Sequence, residues 1–147
     1  MADEQQLYEL IASKREGVLA AVTRGGYPHL TNVWYVWDAE ERIARVSTTA
    51  VRLKGRILRH NPHAALHVSG PDFWSYAVAQ GDAETSEVAA TPGDEATREL
   101  FQVHSAFSTG LEEDEPFYQQ MIEAKRLVVR LRVARVYGLA AARPRGS

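Results

Sequence analysis

Three hydroxyl residues, Ser47-Thr48-Thr49, stand just before four fixed cations, Arg52, Lys54, Arg56 and Arg59, with no acidic residue among them. Hydroxyls, the free backbone N–H groups at a helix start, and guanidinium or ammonium groups are the parts of an anion site. Each hydrogen bond to a charged partner contributes about 1.5–3 kcal/mol. A phosphate held by three or four of them would anchor a ligand at about micromolar affinity or better. The same residues would also make a solvated basic helix face paired with acids elsewhere, and composition alone leaves both readings open.

Other reactive types are sparse. There is no cysteine, which excludes disulfides, thiolate metal sites and a thiol nucleophile. Five histidines invite a metal reading, but the nearest pair, His60 and His63, straddles Asn61-Pro62 and shares no regular face, so no metal site is expected. His104-Ser105 are neighbours on a helix and point apart, with no acid placed to orient them; they are expected at the surface. Trp37, Tyr8, Tyr35 and Tyr118 read as packing residues, and the acidic run Glu112 to Glu115 as a solvated helix start.

The elements that must position the anion site follow from periodicity. Residues 3–14 suit a helix with Leu7, Leu10 and Ile11 on one face and Asp3 and Glu4 at its positive end. A strand over 18–23, a Gly25-Gly26 turn and a return strand over 29–37 make a hairpin. A third strand follows over 42–48. The period then changes to helical over 51–59, and Asn61-Pro62 stops that helix. Strands are expected again over 64–68 and 74–84, helices over 94–107 and from about 112 to 126, and a closing strand over 127–138. About six strands with helices inserted between them indicate a mainly β, α+β chain with an antiparallel barrel.

Length, at 147 residues, fits one domain spanning 1–147, with 140–147 expected as a flexible tail. A net charge of -2 speaks against nucleic acid as a partner. No apolar run approaches the roughly 18 residues of a membrane span. The polar, acidic stretch Met1 to Gln6 is unlike a secretory signal, and a cytoplasmic location is expected.

The string Arg52-x-Lys54 with Leu58-Arg59-x-Asn61-Pro62 resembles the phosphate-binding element of the pyridoxamine 5'-phosphate oxidase-like split β-barrels. Gly17-Val18-Leu19-Ala20, Gly26-Tyr27-Pro28-His29 and Asn32-Val33-Trp34-Tyr35 resemble the strands that precede it. Trp74-Ser75-Tyr76-Ala77-Val78-Ala79-x-Gly81 and Val136-Tyr137-Gly138-Leu139 are similar to the flavin/deazaflavin oxidoreductases of that superfamily, in the branch described as probable F420-dependent enzymes. The likeness runs from about residue 7 to 139. It implies an FMN-binding-like split barrel with peripheral helices, a homodimer with cofactor sites at the interface, and coenzyme F420 as cofactor, with FMN as the alternative and haem as a remoter one. Ser47, Thr48, Arg52 and Lys54 would grip the cofactor phosphate. Asn32, Val33 and Trp34 would run along the ring system, and Trp74, Ser75 and Tyr76 would approach from the partner chain. Arg56 and Arg59 would meet the oligoglutamate tail of the deazaflavin. The implied activity is hydride transfer between F420 and a small organic substrate. A non-enzymatic cofactor carrier is the other reading, because no side chain stands out as proton donor beyond Tyr76 and Tyr137. The ending Val136-Tyr137-Gly138 differs from the Arg-Leu-Ala-Pro-type ending of true pyridoxamine phosphate oxidases, which counts against vitamin B6 oxidation.

Overall fold

A computed structural model describes residues 3–139, apart from the side chains of residues 53–55. The expected tail, 140–147, lies outside the described residues. In chain order the elements are α1 (Glu4–Ser13), β1 (Glu16–Val22), β2 (Pro28–Trp34), β3 (Val36–Asp38), β4 (Ile43–Thr49), α2 (Leu53–His60), β5 (His63–Ser69), β6 (Tyr76–Thr85), α3 (Glu95–Ser105), α4 (Glu115–Glu123) and β7 (Arg126–Leu139).

Local chemistry sets most of these boundaries. Asp3 caps α1 by accepting from the Gln6 N–H at 2.8 Å, while the Gln6 side chain accepts from the Asp3 N–H. Asp94 and Asp114 cap α3 and α4 in the same way, through the N–H groups of Thr97 and Phe117. Helix α2 differs. Its N-cap is Arg52, which supplies no side-chain acceptor, and no acid lies in its first turn.

All strand pairs are antiparallel, and the sheet order is β2-β1-β5-β6-β7-β4-β3. The two edge strands, β2 and β3, are separated in sequence by Tyr35 alone. The sheet therefore curls until its edges meet at that residue. β2 pairs only with β1 and β3 only with β4 among the described residues, so a seam is left between β2 and β4. This is a split barrel, mainly β with peripheral helices.

Alternation along the strands sorts side chains between two cores. Leu19, Val46, Leu66, Leu127 and Leu131 point inward, where Leu7 and Ile11 of α1 and Ile57 and Leu58 of α2 plug the barrel. Each fully buried side chain of this size contributes on the order of 1.5–3 kcal/mol. On the outer face, α3 and α4 cover β3, β4 and the first half of β7, through Leu100, Val103, Phe117, Met121 and Val128. A clasp holds α3 down: Glu99 accepts from Arg45 at 3.0 Å and from Arg130 at 2.7 Å. Burial pushes the Glu99 carboxyl up, but Arg130 and then Arg45 outweigh it and hold it below the usual carboxylate range. The rest of the outer face, on β2, β1, β5, β6 and the second half of β7, carries no helix.

Several sequence-based boundaries shift. The strand expected over 29–37 breaks at Tyr35, giving seven strands among the described residues where about six are expected. The break is held by Tyr35 itself: its N–H donates to the Arg15 carbonyl at 2.9 Å, and its buried hydroxyl donates to the Ile11 carbonyl at 2.6 Å. Trp74 and Ser75 precede β6 instead of opening it, because Asp72 accepts from both of their N–H groups in an Asx turn. α4 ends at Glu123, and Arg126 begins β7. Trp37, stacked on Tyr8 with ring centroids 6.0 Å apart, packs as expected.

Candidate functional site

At the end of β4 the hydroxyl run divides between the two faces of the strand. Ser47 points to the face that α3 covers. Its Oγ accepts from an Arg126 Nη at 3.1 Å and lies 3.0 Å from Nε2 of His104. Arg126 reaches Ser47 because the β4–β7 register pairs Thr49 with Arg126. Burial, then the nearby Arg52, hold the Arg126 guanidinium below its ordinary value. Burial, then Arg126, do the same to His104, so its imidazole is mainly neutral at pH 7. Among the described residues neither Arg52 nor Arg126 has a carboxylate within ion-pair distance. Thr48 is fully buried, and the hydroxyl oxygens of both Thr48 and Thr49 are buried with no hydrogen-bond partner.

Orphaned buried hydroxyls and uncompensated cations are both unfavourable alone. Thr49, Arg52 and Arg126 stand beside a helix start that no side chain caps, a corner that an anion would complete; the Thr48 hydroxyl lies on the other face of β4. A phosphate group fits this donor set.

Across the seam, β2 places Asn32 and Trp34 on the open outer face, while Val33 turns inward at 7% exposure. Trp34, 63% exposed, stacks on Phe107 with centroids 5.3 Å apart. Phe107 follows α3, and Arg15 fixes that turn: its guanidinium donates to the Ala106 carbonyl and lies 5.8 Å from the Phe107 ring centre. Asn32, Val33 and Trp34 line a cleft of about 530 Å³ with Gly17, Val18 and His67. Gly17 is required for that close approach, since a Cβ there would meet the His67 carbonyl oxygen at 2.8 Å. The end of α3 and the turn after it link cleft and corner: His104 touches Ser47, and Phe107, whose N–H donates to the His104 carbonyl at 3.0 Å, touches Trp34.

A family model for pyridoxamine 5'-phosphate oxidase matches residues 3–140, which is nearly all of this architecture. The chain belongs to that family. Among solved structures it is similar to a conserved hypothetical protein from Mycobacterium tuberculosis, at 23% identity and a TM-score of 0.72, covering 100% of this chain and 94% of that one. It is also similar to an F420 reductase, at 22% identity and a TM-score of 0.66, covering 88% of this chain and 94% of that one. A FAD-binding protein from Mesorhizobium loti matches at 15% identity and a TM-score of 0.60, covering 92% of this chain and 90% of that one. At these identities the likeness is one of fold.

Within this family member the expected site residues fall into separate groups. Ser47 and Arg52 come together around Arg126, while Thr48 faces the barrel interior. Lys54 lies in the first turn of α2, but its side chain lies outside the described residues. Arg56 and Arg59 are exposed on α2 and have no ion pair among the described residues. Asn32, Val33 and Trp34 share the cleft. Gly70 also lines it, so the loop that leads to Trp74 and Ser75 borders the cleft of its own chain. Trp74 is half exposed with its ring edge-on to Phe73, Ser75 is buried with its hydroxyl on Asp72, and Tyr76 stacks on His67 at 5.6 Å. Tyr137 lies on the same open face, opposite Val78.

His104 corrects the sequence reading. It is half-buried against Ser47, not at the surface. Ala96, Leu100 and Val103 mark the inward stripe of α3, and His104 follows Leu100 by four, so the signal was present in the apolar spacing. Arg126 left none, because its role depends on a strand register formed with residues far away in the chain. Among the described residues no group of three His, Cys, Asp or Glu side chains could hold a metal ion, and no helix is long and apolar enough to cross a membrane.

Proposed function

We propose that the chain is an oxidoreductase that binds a phosphate-bearing flavin-type cofactor, coenzyme F420 in preference to FMN, and transfers hydride between it and a small organic substrate. The observation that carries this reading is the unpaired cationic corner of Arg52, Arg126 and Ser47, one helical turn from the exposed Trp34–Phe107 stack. When bound, the deazaflavin supplies the two-electron hydride chemistry. Ser47, Arg52, Arg126 and Lys54 would hold its phosphate, and Asn32 and Trp34 would border its rings. Among the described residues Arg56 and Arg59 project from α2 without carboxylate partners, which suits the glutamyl carboxylates of F420 and has no counterpart in FMN. Tyr76 and Tyr137 are the hydroxyls on the open face that could deliver a proton to substrate.

Titrating the protein with F420 and with FMN, while following tryptophan fluorescence, tests the assignment. Tight F420 binding with quenching, and weaker FMN binding, is the expected result. The reverse order would make this an FMN protein, and binding of neither would end the cofactor reading. Binding without turnover of any acceptor would favour the second reading, a non-enzymatic carrier.

The helix-free outer face supports a homodimer. Val22, Leu30, Trp34 and Tyr137 are all exposed there, at 37% to 66%, and several large apolar side chains exposed on one sheet face favour an interface. The open side of the Trp34 cleft would then be closed by the partner. Light scattering should give twice the chain mass, and Leu30→Glu should give monomers with weaker cofactor binding. A monomeric wild-type protein would refute the arrangement.

A further inference from the structure

The contact between His104 and Ser47 has a chemical consequence for the anion corner. A serine hydroxyl has one proton to donate and two lone pairs to accept with. Arg126 fills one lone pair at 3.1 Å. His104 Nε2, at 3.0 Å, has two options. In the neutral Nδ1–H tautomer it accepts a hydrogen bond from the hydroxyl, and Ser47 then has nothing left to donate to a ligand. In the imidazolium both ring nitrogens carry protons, so Nε2 fills the second lone pair and the hydroxyl proton is turned outward.

The surroundings decide between these states. From β7 the ring faces Arg126, with Arg52 close behind. Arg45 on β4 and Arg130 on β7 lie further along their strands and are taken up by Glu99 on α3. From α4 the ring meets Phe117 at 5.8 Å, and the adjacent Tyr118 hydroxyl is bound to Glu113. Without an anion, burial and then the Arg126 cation disfavour a charged ring. An anion at Arg52 and Arg126 offsets the cationic field.

We propose that His104 is a positioning residue of this anion site, aiming the Ser47 hydroxyl proton at the bound anion when its ring is doubly protonated, so that anion binding and proton uptake by the ring promote each other. This rests on the corner being an anion site. By linkage, an anion that raises the affinity of the ring for a proton tenfold is itself bound tenfold more tightly by the protonated form.

Sulfate is the probe, because its charge is constant from pH 5.5 to 8.5, whereas the phosphate of FMN titrates near 6. The His104 ring signal, assigned by its loss in His104→Gln, is followed by NMR across that range at constant ionic strength, with and without sulfate. The backbone amides of residues 50–53 report binding independently. Sulfate should raise the midpoint of His104 by about one pH unit and leave His29 and His67 unmoved. Its affinity should tighten severalfold as the pH falls from 8 to 5.5 in the wild type, approaching tenfold only below the sulfate-free midpoint, and stay flat in His104→Gln. If the amides of 50–53 respond but the His104 midpoint does not, His104 is only a packing residue and the coupling is refuted. If neither responds, the anion site itself is wrong, and the coupling falls with it.

Discussion

Arg126→Ala should weaken the binding of F420 or FMN by about 10- to 100-fold, the equivalent of one charge-assisted hydrogen bond of about 1.5–3 kcal/mol. The same change should leave the ligand-free protein within about 0.5 kcal/mol of wild type. Burial and then Arg52 already disfavour the charged form of this guanidinium, so the empty fold gains little from keeping it. Thermal unfolding with and without cofactor separates the two effects. The ligand-induced rise in midpoint should largely disappear while the ligand-free midpoint holds. A large loss of stability without ligand would make Arg126 a structural strut and remove it from the site.

Gly81→Ala should be the most damaging small substitution in the barrel. The β6–β7 ladder slips at Gln80/Gly81, and a Cβ on Gly81 would come within 1.8 Å of the Arg132 carbonyl oxygen. That atom belongs to the backbone of the longest strand and cannot swing aside as a side chain would. The expected cost is about 3 kcal/mol or more, read as a lower urea midpoint or as failure to accumulate folded protein. Gly25→Ala is the control, since its Cβ would have 3.7 Å to its nearest neighbour; it should be nearly neutral. Equal behaviour of the two variants would mean that the bulge is looser than its geometry states.

Features governed by near neighbours in the chain were legible in the sequence. The α1 face, the Gly25-Gly26 turn and the buried role of Tyr35 follow from spacing and turn chemistry within a few residues. The break that Tyr35 makes in its strand does not, because it depends on the Ile11 and Arg15 carbonyls docking from another element. For the site, Ser47, Arg52 and Trp34 were visible as residue types next to a helix start or in an aromatic strand. Arg15, His104, Phe107 and Arg126 join them only through the fold, each held by a contact between distant parts of the chain. Trp74, Ser75 and Tyr76 read as the start of one continuous strand, yet the single carboxylate of Asp72 holds the first two in a loop.

The sheet order also governs how the molecule can be made. β7, whose sequence follows that of all the other strands described, lies between β6 and β4. A growing chain can form the β1–β2 and β3–β4 hairpins early, since their partners are close in sequence, but nothing joins β4 to β6 until β7 arrives. A ribosome-bound chain stopped before Arg126 would expose the inner faces of both pieces at once. Barrel closure, the α3 clasp through Arg130 and the cationic corner through Arg126 must then appear in one late step. Such a chain folds by its most non-local contacts, which makes slow closure and dependence on chaperones during synthesis the physical counterpart of its topology.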